Sequence, residues 1–396
     1  MTRTTPPLDV EAVFPELGVL RRGATRLHPR RGRATVRDSS VGGPLLWPAD
    51  EPWPVCVISH RRGSGYRYSD VVREREILEG AWRRDPRGGP NAEEVDELAG
   101  FKRGRHAPHL ADTDPVPMIA VAQLYRRDVT GLPDRGEGDL LQVFWCGFER
   151  YGDSRHDLHV ELWWRHSADV ASPLAEQEQP APEVVGRREL VPAPCVLHPE
   201  EIVEHPDLMA LAPSLWDRID AWEGPEDDER PQYISDASIA PGWKVGGHVA
   251  WPLTGPRPLP CSVCGAELGP LLTVDHTEWD PSTRSWIPYE DQGEVDSRDG
   301  TQAPLGRGCS VSRRSCGCRL PGCRSRTGRR VEGRRRTTNS TSLASRCATL
   351  SMRSRLGSRP SRTGLGRPSQ VAGAFLPARC WPDAPERPAF RRHGTA

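Results

Sequence analysis

Cys261-Ser-Val-Cys264-Gly265 is the stretch of this chain whose residue types and spacing speak most directly of chemistry. Two thiolates three residues apart can both face a Zn²⁺ ion, and the glycine after them lets backbone N–H groups turn toward sulfur. One such pair supplies half of a tetrahedral site. The missing donors would be a further cysteine pair downstream or imidazoles such as His248 and His276. The competing reading is a turn that carries two reduced thiols. A redox role is disfavoured because no thioredoxin-like βαβ pattern surrounds the pair. Zn²⁺ is thus the one cofactor to which the sequence points, with Cys261 and Cys264 as an incomplete site.

Other residues carry weaker signals. Cys56 and His60 would act as nucleophile and base only if the fold brought them together, and sequence neighbours seldom form such a dyad. The histidine pairs His106/His109 and His156/His159 follow no ligand-spacing rule and read as surface residues, although His159 opens an expected strand. There is no G-x-S-x-G, no phosphate-binding Walker loop, no H-E-x-x-H and no G-x-G-x-x-G after a strand. The acidic run Gly224–Gln232 reads as a solvated loop. No catalytic residue is assigned, and the reading leans away from an enzyme.

The elements that must position these residues show a repeat. "SVGGPLLWPADEPWPVC" (Ser40–Cys56) and "KVGGHVAWPLTGPRPLPCSVCG" (Lys244–Gly265) share V-G-G-x-x-x-W-P, and both run through prolines into cysteine. Adjacent glycines permit positive φ and close backbone approach, so each pair is expected in a tight turn into a strand. A phosphate cradle is the alternative, but no Lys-Ser/Thr follows. "PMIAVAQLYRRDV" (Pro117–Val129) follows the first copy and "GPLLTVDHTEWD" (Gly269–Asp280) the second, each reading as a mostly buried strand. "GDLLQVFWCGFE" (Gly138–Glu149) and "HVELWWRHS" (His159–Ser167) extend the β pattern, with Leu141, Val143 and Trp145 on one side of the former. Helices are expected from Ser69 through "DVVREREILEGAW", from an Asn91 cap through "AEEVDELAGF", and over Leu208–Trp222 after the short "HPEEIVEHP".

Composition separates the last quarter from the rest. From Thr301 on there are 21 Arg, no Lys and 3 acids, a net charge of +18. Residues 1–300 keep 54 − 21 = 33 basic and 54 − 3 = 51 acidic side chains, a net of −18, and hold 12 of the 13 Trp. No stretch reaches the ~18–20 apolar residues of a membrane helix. The N-terminal MTRTTPPLDVEAVFPELG lacks an apolar h-region, and five cysteines in the first 300 residues are sparse for a disulfide scaffold. A cytoplasmic protein with no membrane partner is expected.

The V-G-G-x-x-x-W-P, PMIAVAQL, GDLLQVFWC and PCSVCG…LLTVD motifs, in that order, resemble the YwqG-like family of bacterial proteins over roughly Arg30–Tyr289. The resemblance implies a compact α+β fold, mainly antiparallel and internally duplicated, with no catalytic residues to carry over. Similar chains close the domain with a Gly-Asp-rich turn, a strand and a second Cys-x-x-Cys; here "RGCSVSRRSCGCRLPGCRSRTGRRVEGRRR" stands instead. GC-rich coding sequence read in the wrong frame yields such residues, and a frame disruption near Leu305–Arg307 accounts for them. An authentic Arg-rich arm that neutralises nucleic-acid phosphates is the alternative.

The expected organisation is therefore an N-terminal arm (1–29), a duplicated YwqG-like domain (30–300, repeats about 30–170 and 230–300) and a disordered or frame-shifted tail (301–396). The expected function is a non-catalytic binding or interaction module for a protein or small-molecule partner. A metal-dependent enzyme working in a cleft between repeats is the first alternative. Nucleic-acid binding through the tail is the second, opposed by the −18 body, whose field repels phosphate.

Overall fold

The computed structural model describes residues 9–133, 138–150, 157–224, 231–249, 268–275, 278–279 and 284–296, together with 348–349, 353–354 and 374–377. The strands up to residue 150 are β1 (Arg22–Arg26), β2 (Arg30–Arg31), β3 (Ser40–Val41), β4 (Val55–Cys56), β5 (Tyr66–Arg67), β6 (Val116–Pro117), β7 (Ile119–Tyr125) and β8 (Leu140–Arg150). Beyond it come β9 (Asp157–Arg165), β10 (Val184–Val185), β11 (Cys195–Val196), β12 (Glu200–Glu204), β13 (Lys244–Gly246) and β14 (Leu268–Val274). The helices are α1 (Val10–Val13), α2 (Tyr68–Arg84), α3 (Ala92–Gly100), α4 (Pro213–Glu223) and α5 (Tyr289–Asp296). The fold is α+β, and the sheets are mainly antiparallel.

The larger sheet runs β9-β8-β7-β3-β11-β2 and the smaller one β12-β1-β13-β14. Ribbons β4·β6 and β5·β10 lie apart from both. Of the tail, 348–349 and 374–377 lie antiparallel along β14, while 353–354 lies parallel along β9. The rest of the expectation about the tail falls outside the described residues.

Strand β8 explains how the core is organised. Its sequence is apolar on both faces, as a strand covered on two sides must be. Leu141, Val143 and Trp145 enter one cluster with Val41, Val121, Trp243, Val245 and Leu272, so this face packs toward the smaller sheet. Phe144, Cys146 and Phe148 point the other way, into a second cluster with Leu45, Trp47, Cys56, Val116 and Met118. The indole of Trp47, fully buried, meets Trp53, Phe144 and Trp163 at 5.2–5.5 Å between ring centroids. The first Trp-Pro thus lies deep in this second core; the second, at 251–252, lies outside the described residues.

The two sheets are joined by an exchange of strands. Leu27-His28-Pro29 follows β1 and Leu197-His198-Pro199 follows β11. Arg26 pairs with Glu200 and Thr25 with Glu201 across β1·β12; Val196 pairs with Arg30 and Cys195 with Arg31 across β11·β2. Measured from each leucine, these registers are the same. On the other side Thr25 pairs with Val245 and Cys195 with Val41, the valine of each V-G-G. Those valines in turn pair with Leu272 on β14 and Ala122 on β7. Residues 22–26, expected within an arm, are a strand flanked on both sides.

The first glycine of each pair takes positive φ, +60° at Gly42 and +75° at Gly246, and so turns the chain out of its strand rather than into one. At Gly42 a Cβ would stand 2.8 Å from the Ala193 carbonyl, a contact only glycine avoids. The expected helices form with altered ends. Asn91 caps α3 in a capping box with Glu94, as its spacing implies. Helix α2 begins one residue before Ser69, which therefore does not cap it, and buries Val71, Glu74, Ile77 and Ala81 while Val72 and Trp82 stay exposed. "EEIVE" of the expected helix lead-in is strand β12, because its alternating residues pair with β1.

Candidate metal centre

Cys56 ends strand β4, whose partner β6 holds it over the second core. Exposure alternates along this stretch: Val55 and Val57 face solvent while Cys56 is completely buried. The chain then turns, and a hydrogen bond from the His60 N–H to the Asp112 carbonyl (2.9 Å) fixes the turn. This returns the His60 ring to the sulfur it has just left, with Nε2 3.5 Å from Cys56 Sγ. Cys146 approaches from β8, where the ladder to β9 is irregular between Trp145 and Glu149, and its Sγ is also 3.5 Å from His60 Nε2. The three ligand atoms lie within 4.8 Å of one another and all three residues are buried.

The ring of His60 is held from behind. Phe148 stacks on it at 5.9 Å and 24°. Nδ1 is 3.2 Å from the Glu149 carbonyl oxygen, which can only accept. The proton therefore sits on Nδ1, and the Nε2 lone pair faces the two sulfurs, the tautomer a metal ligand requires. Arg62, also fully buried, donates through Nη2 to the Ile58 carbonyl. Its charge favours the thiolate of Cys146.

The two thiols titrate as a pair. The hydrogen bond from Cys146, helped by His159 and His60 against the cost of burial, holds Cys56 far below the usual thiol range. The same bond, with burial and the charge on Cys56, drives Cys146 well above it. One proton leaves easily and the second is held between the sulfurs. A divalent metal ion held by this cluster would displace that proton, because ligation requires both thiolates.

Geometry supports that exchange. Zn–S of ~2.3 Å and Zn–N of ~2.05 Å at the tetrahedral angle place S and N about 3.6 Å apart. Both S···N separations here are 3.5 Å. Two sulfurs and one imidazole are a soft donor set suited to zinc. A nucleophile–base dyad would need a path for substrate, whereas both sulfurs have no exposed surface.

Cys261, Cys264, His156 and His276 lie outside the described residues. His248 is buried beside β13, where burial and the nearby Arg22 push its pKa down to about 4, and its Nε2 is 2.9 Å from the Leu20 carbonyl oxygen. His106 Nε2 is 2.8 Å from the Lys102 carbonyl oxygen, and His109 stands at the surface 3.2 Å from Glu183. His159, expected at the surface, is instead partly buried and acts on Cys56. Cys146 escapes sequence reasoning because its partners are 86 and 90 residues away. Its only signal is that Phe144, Cys146 and Phe148 form a second apolar face on a strand whose first face is already filled.

Phe148 and Glu149 also wall a cavity of about 230 Å³, together with Arg61, Arg103, Gly186 and Arg187. Drug-sized ligand sites run to ~300–1,000 Å³. Among the described residues no helix is long and apolar enough to cross a membrane. Compared with known proteins, the chain matches no family model and no curated protein.

Proposed function

We propose that the protein is a zinc-tied, non-catalytic binding or interaction module of the YwqG-like kind, its ion held by Cys56, His60 and Cys146. The observation that carries this reading is the pair of 3.5 Å sulfur–nitrogen separations around one correctly protonated imidazole. The ion would pin the β4 ribbon to β8 and so clamp the second core. Burial of both sulfurs and the small neighbouring cavity speak for structural duty over an enzyme in a cleft between repeats.

Internal duplication belongs to the same proposal. Its support is the reciprocal register around the two Leu-His-Pro segments and the equal pairing of the two V-G-G valines. A cytoplasmic setting and a protein or small-molecule partner are part of the same proposal. Nucleic-acid binding by the tail stands as the reading that the acidic body opposes.

Metal analysis of the purified full-length chain tests the centre. About one zinc per chain is expected, lost in Cys146→Ser and kept in the Cys261→Ser/Cys264→Ser double variant. Zinc that survives Cys146→Ser, or a chain that binds none when refolded with the metal, would sink the assignment.

A further inference from the structure

Three arginines line the small cavity at Phe148, and two of them are matched by no acid. Arg187 is already paired, with Glu149 and, at 3.4 Å, with Glu189. Arg103 donates from Nη1 to the Gly186 carbonyl at 2.8 Å, and its other donors have no partner among the described residues. Arg61 has neither a hydrogen bond nor an ion pair among them. Both residues stand on braced backbone. Gly104 exchanges two 2.9 Å hydrogen bonds with Gly65, and the bond from the His60 N–H to Asp112 fixes the turn just before Arg61.

Elsewhere the arginines of this chain are answered by carboxylates: Arg84 by Glu94, Arg165 by Glu51 and Arg188 by Glu74. In residues 1–300, with their net charge of −18, acids are in excess, yet none reaches Arg61 or Arg103. A cavity lined by charge of one sign concentrates the opposite charge from solution. We propose that this cavity binds a small phosphate monoester. The two unmatched guanidiniums carry the double charge of a phosphate dianion, and their planar forks suit its oxygens. A monocarboxylate would leave one guanidinium over. About 230 Å³ has room for phosphate and a small organic group, while larger ligands need the ~300–1,000 Å³ of drug-sized sites. Phe148 gives the organic group an apolar wall. The inference assigns a chemical class to the small-molecule partner of the binding-module reading and rests on that part of it alone, not on the ion.

Isothermal titration of the full-length chain with phenyl phosphate tests this, with benzoate and phenol as monoanionic and neutral controls. Phenyl phosphate should bind at a single site, benzoate on the order of 10-fold more weakly for want of one charge-assisted contact, and phenol not at all. Arg61→Gln should weaken phenyl phosphate on the order of 10-fold, and Arg61→Gln/Arg103→Gln on the order of 100-fold. Because Arg61 bonds to nothing in the fold, its variant should melt with wild type, so binding lost there is not structure lost. The tail variant Arg334→Gln/Arg335→Gln/Arg336→Gln should bind as wild type does. Absence of phenyl phosphate binding, equal affinity for benzoate, binding that survives the Arg61/Arg103 double variant, or binding lost in the tail variant would overturn the site. Zinc measured on the same samples keeps the two readings apart. A zinc-free chain that binds phenyl phosphate through Arg61 sinks the metal centre alone; a zinc-loaded chain that ignores phenyl phosphate sinks this site alone.

Discussion

Glu204 on β12 and Lys244 on β13 form an ion pair with side chains 0% and 1% exposed, and breaking it should cost far more than a surface pair would. The carboxylate accepts three hydrogen bonds: from the Lys244 ammonium, from the Ala240 N–H at 2.9 Å and from the His248 N–H at 2.8 Å. Exposed pairs contribute ~0–1 kcal/mol, but removing one partner of a buried pair costs about 3–5 kcal/mol because the other charge is stranded. Glu204→Gln keeps the shape and strands the ammonium, so it should lose about 4 kcal/mol, near the middle of that range. Lys244→Met leaves the carboxylate with two peptide donors and should lose less, about 3 kcal/mol. In the double variant no charge is stranded, and the loss should fall to about 2 kcal/mol or less, well short of the sum. Urea unfolding followed by tryptophan fluorescence measures all four proteins. Additive losses, or single variants within 1 kcal/mol of wild type, would show that Glu204 and Lys244 are not held in the dry contact described.

Further outcomes follow from the same structure. Gly42→Ala should destabilise by about 1–3 kcal/mol through its positive φ and the Ala193 carbonyl, while Gly43→Ala, whose new atom meets only the side chains of Ser40 and Ala34 and no backbone, should cost less in the same melts. His28 has φ +41° and lies 3.0 Å from Glu200 and 2.5 Å from Glu278; burial opposes its charge, but the two carboxylates prevail and raise its pKa. Its contribution should be complete below the unfolded value of about 6.5 and lost as pH rises through the folded pKa. His28→Asn, which tolerates positive φ, should therefore differ most from wild type below pH 6.5, and a stability gap that widens with rising pH would contradict the sign. Asn91→Ala removes the side-chain arm of the α3 capping box, leaving the Glu94 N–H without its acceptor, and should lower stability by about 1 kcal/mol by urea unfolding. A chelator strong enough to strip zinc should lower the melting temperature of wild type and leave that of Cys56→Ser/Cys146→Ser where it was.

What could be read from residues alone was local. The apolar runs of β7 and β8 are strands because no other element buries both faces in so few residues, and Asn91 with Glu94 three positions on is a cap by chemistry. β1 was hidden because Arg22-Gly-Ala-Thr-Arg26 has no apolar alternation; Arg26 is buried only because the Glu278 carboxylate and the Trp286 carbonyl come to meet it from 252 and 260 residues away. The Leu-His-Pro repeat stood in the sequence, but a three-residue match carries no weight until the strand registers agree. At the centre, Cys56 and His60 were visible as a pair and discounted as a dyad. Cys146 joined them only through the fold, because it stands on β8, 86 residues beyond His60.

The strand exchange sets a clock on synthesis. β1 cannot pair until β12 exists, 174 residues after β1 ends, and its other neighbour β13 comes 40 residues later still. At ~5–20 residues per second a ribosome needs roughly 9–35 s to cover the first interval. Through that wait β1 offers two unpaired edges and β3 has only β7 beside it until β11 is made. On a crowded message a β12 is also within reach on the chain ahead, and pairing with it would link two nascent chains through the same register that closes one. Growing chains of this topology therefore need shielding that the finished protein does not, and slowing translation between residues 31 and 195 should raise the yield of linked dimers.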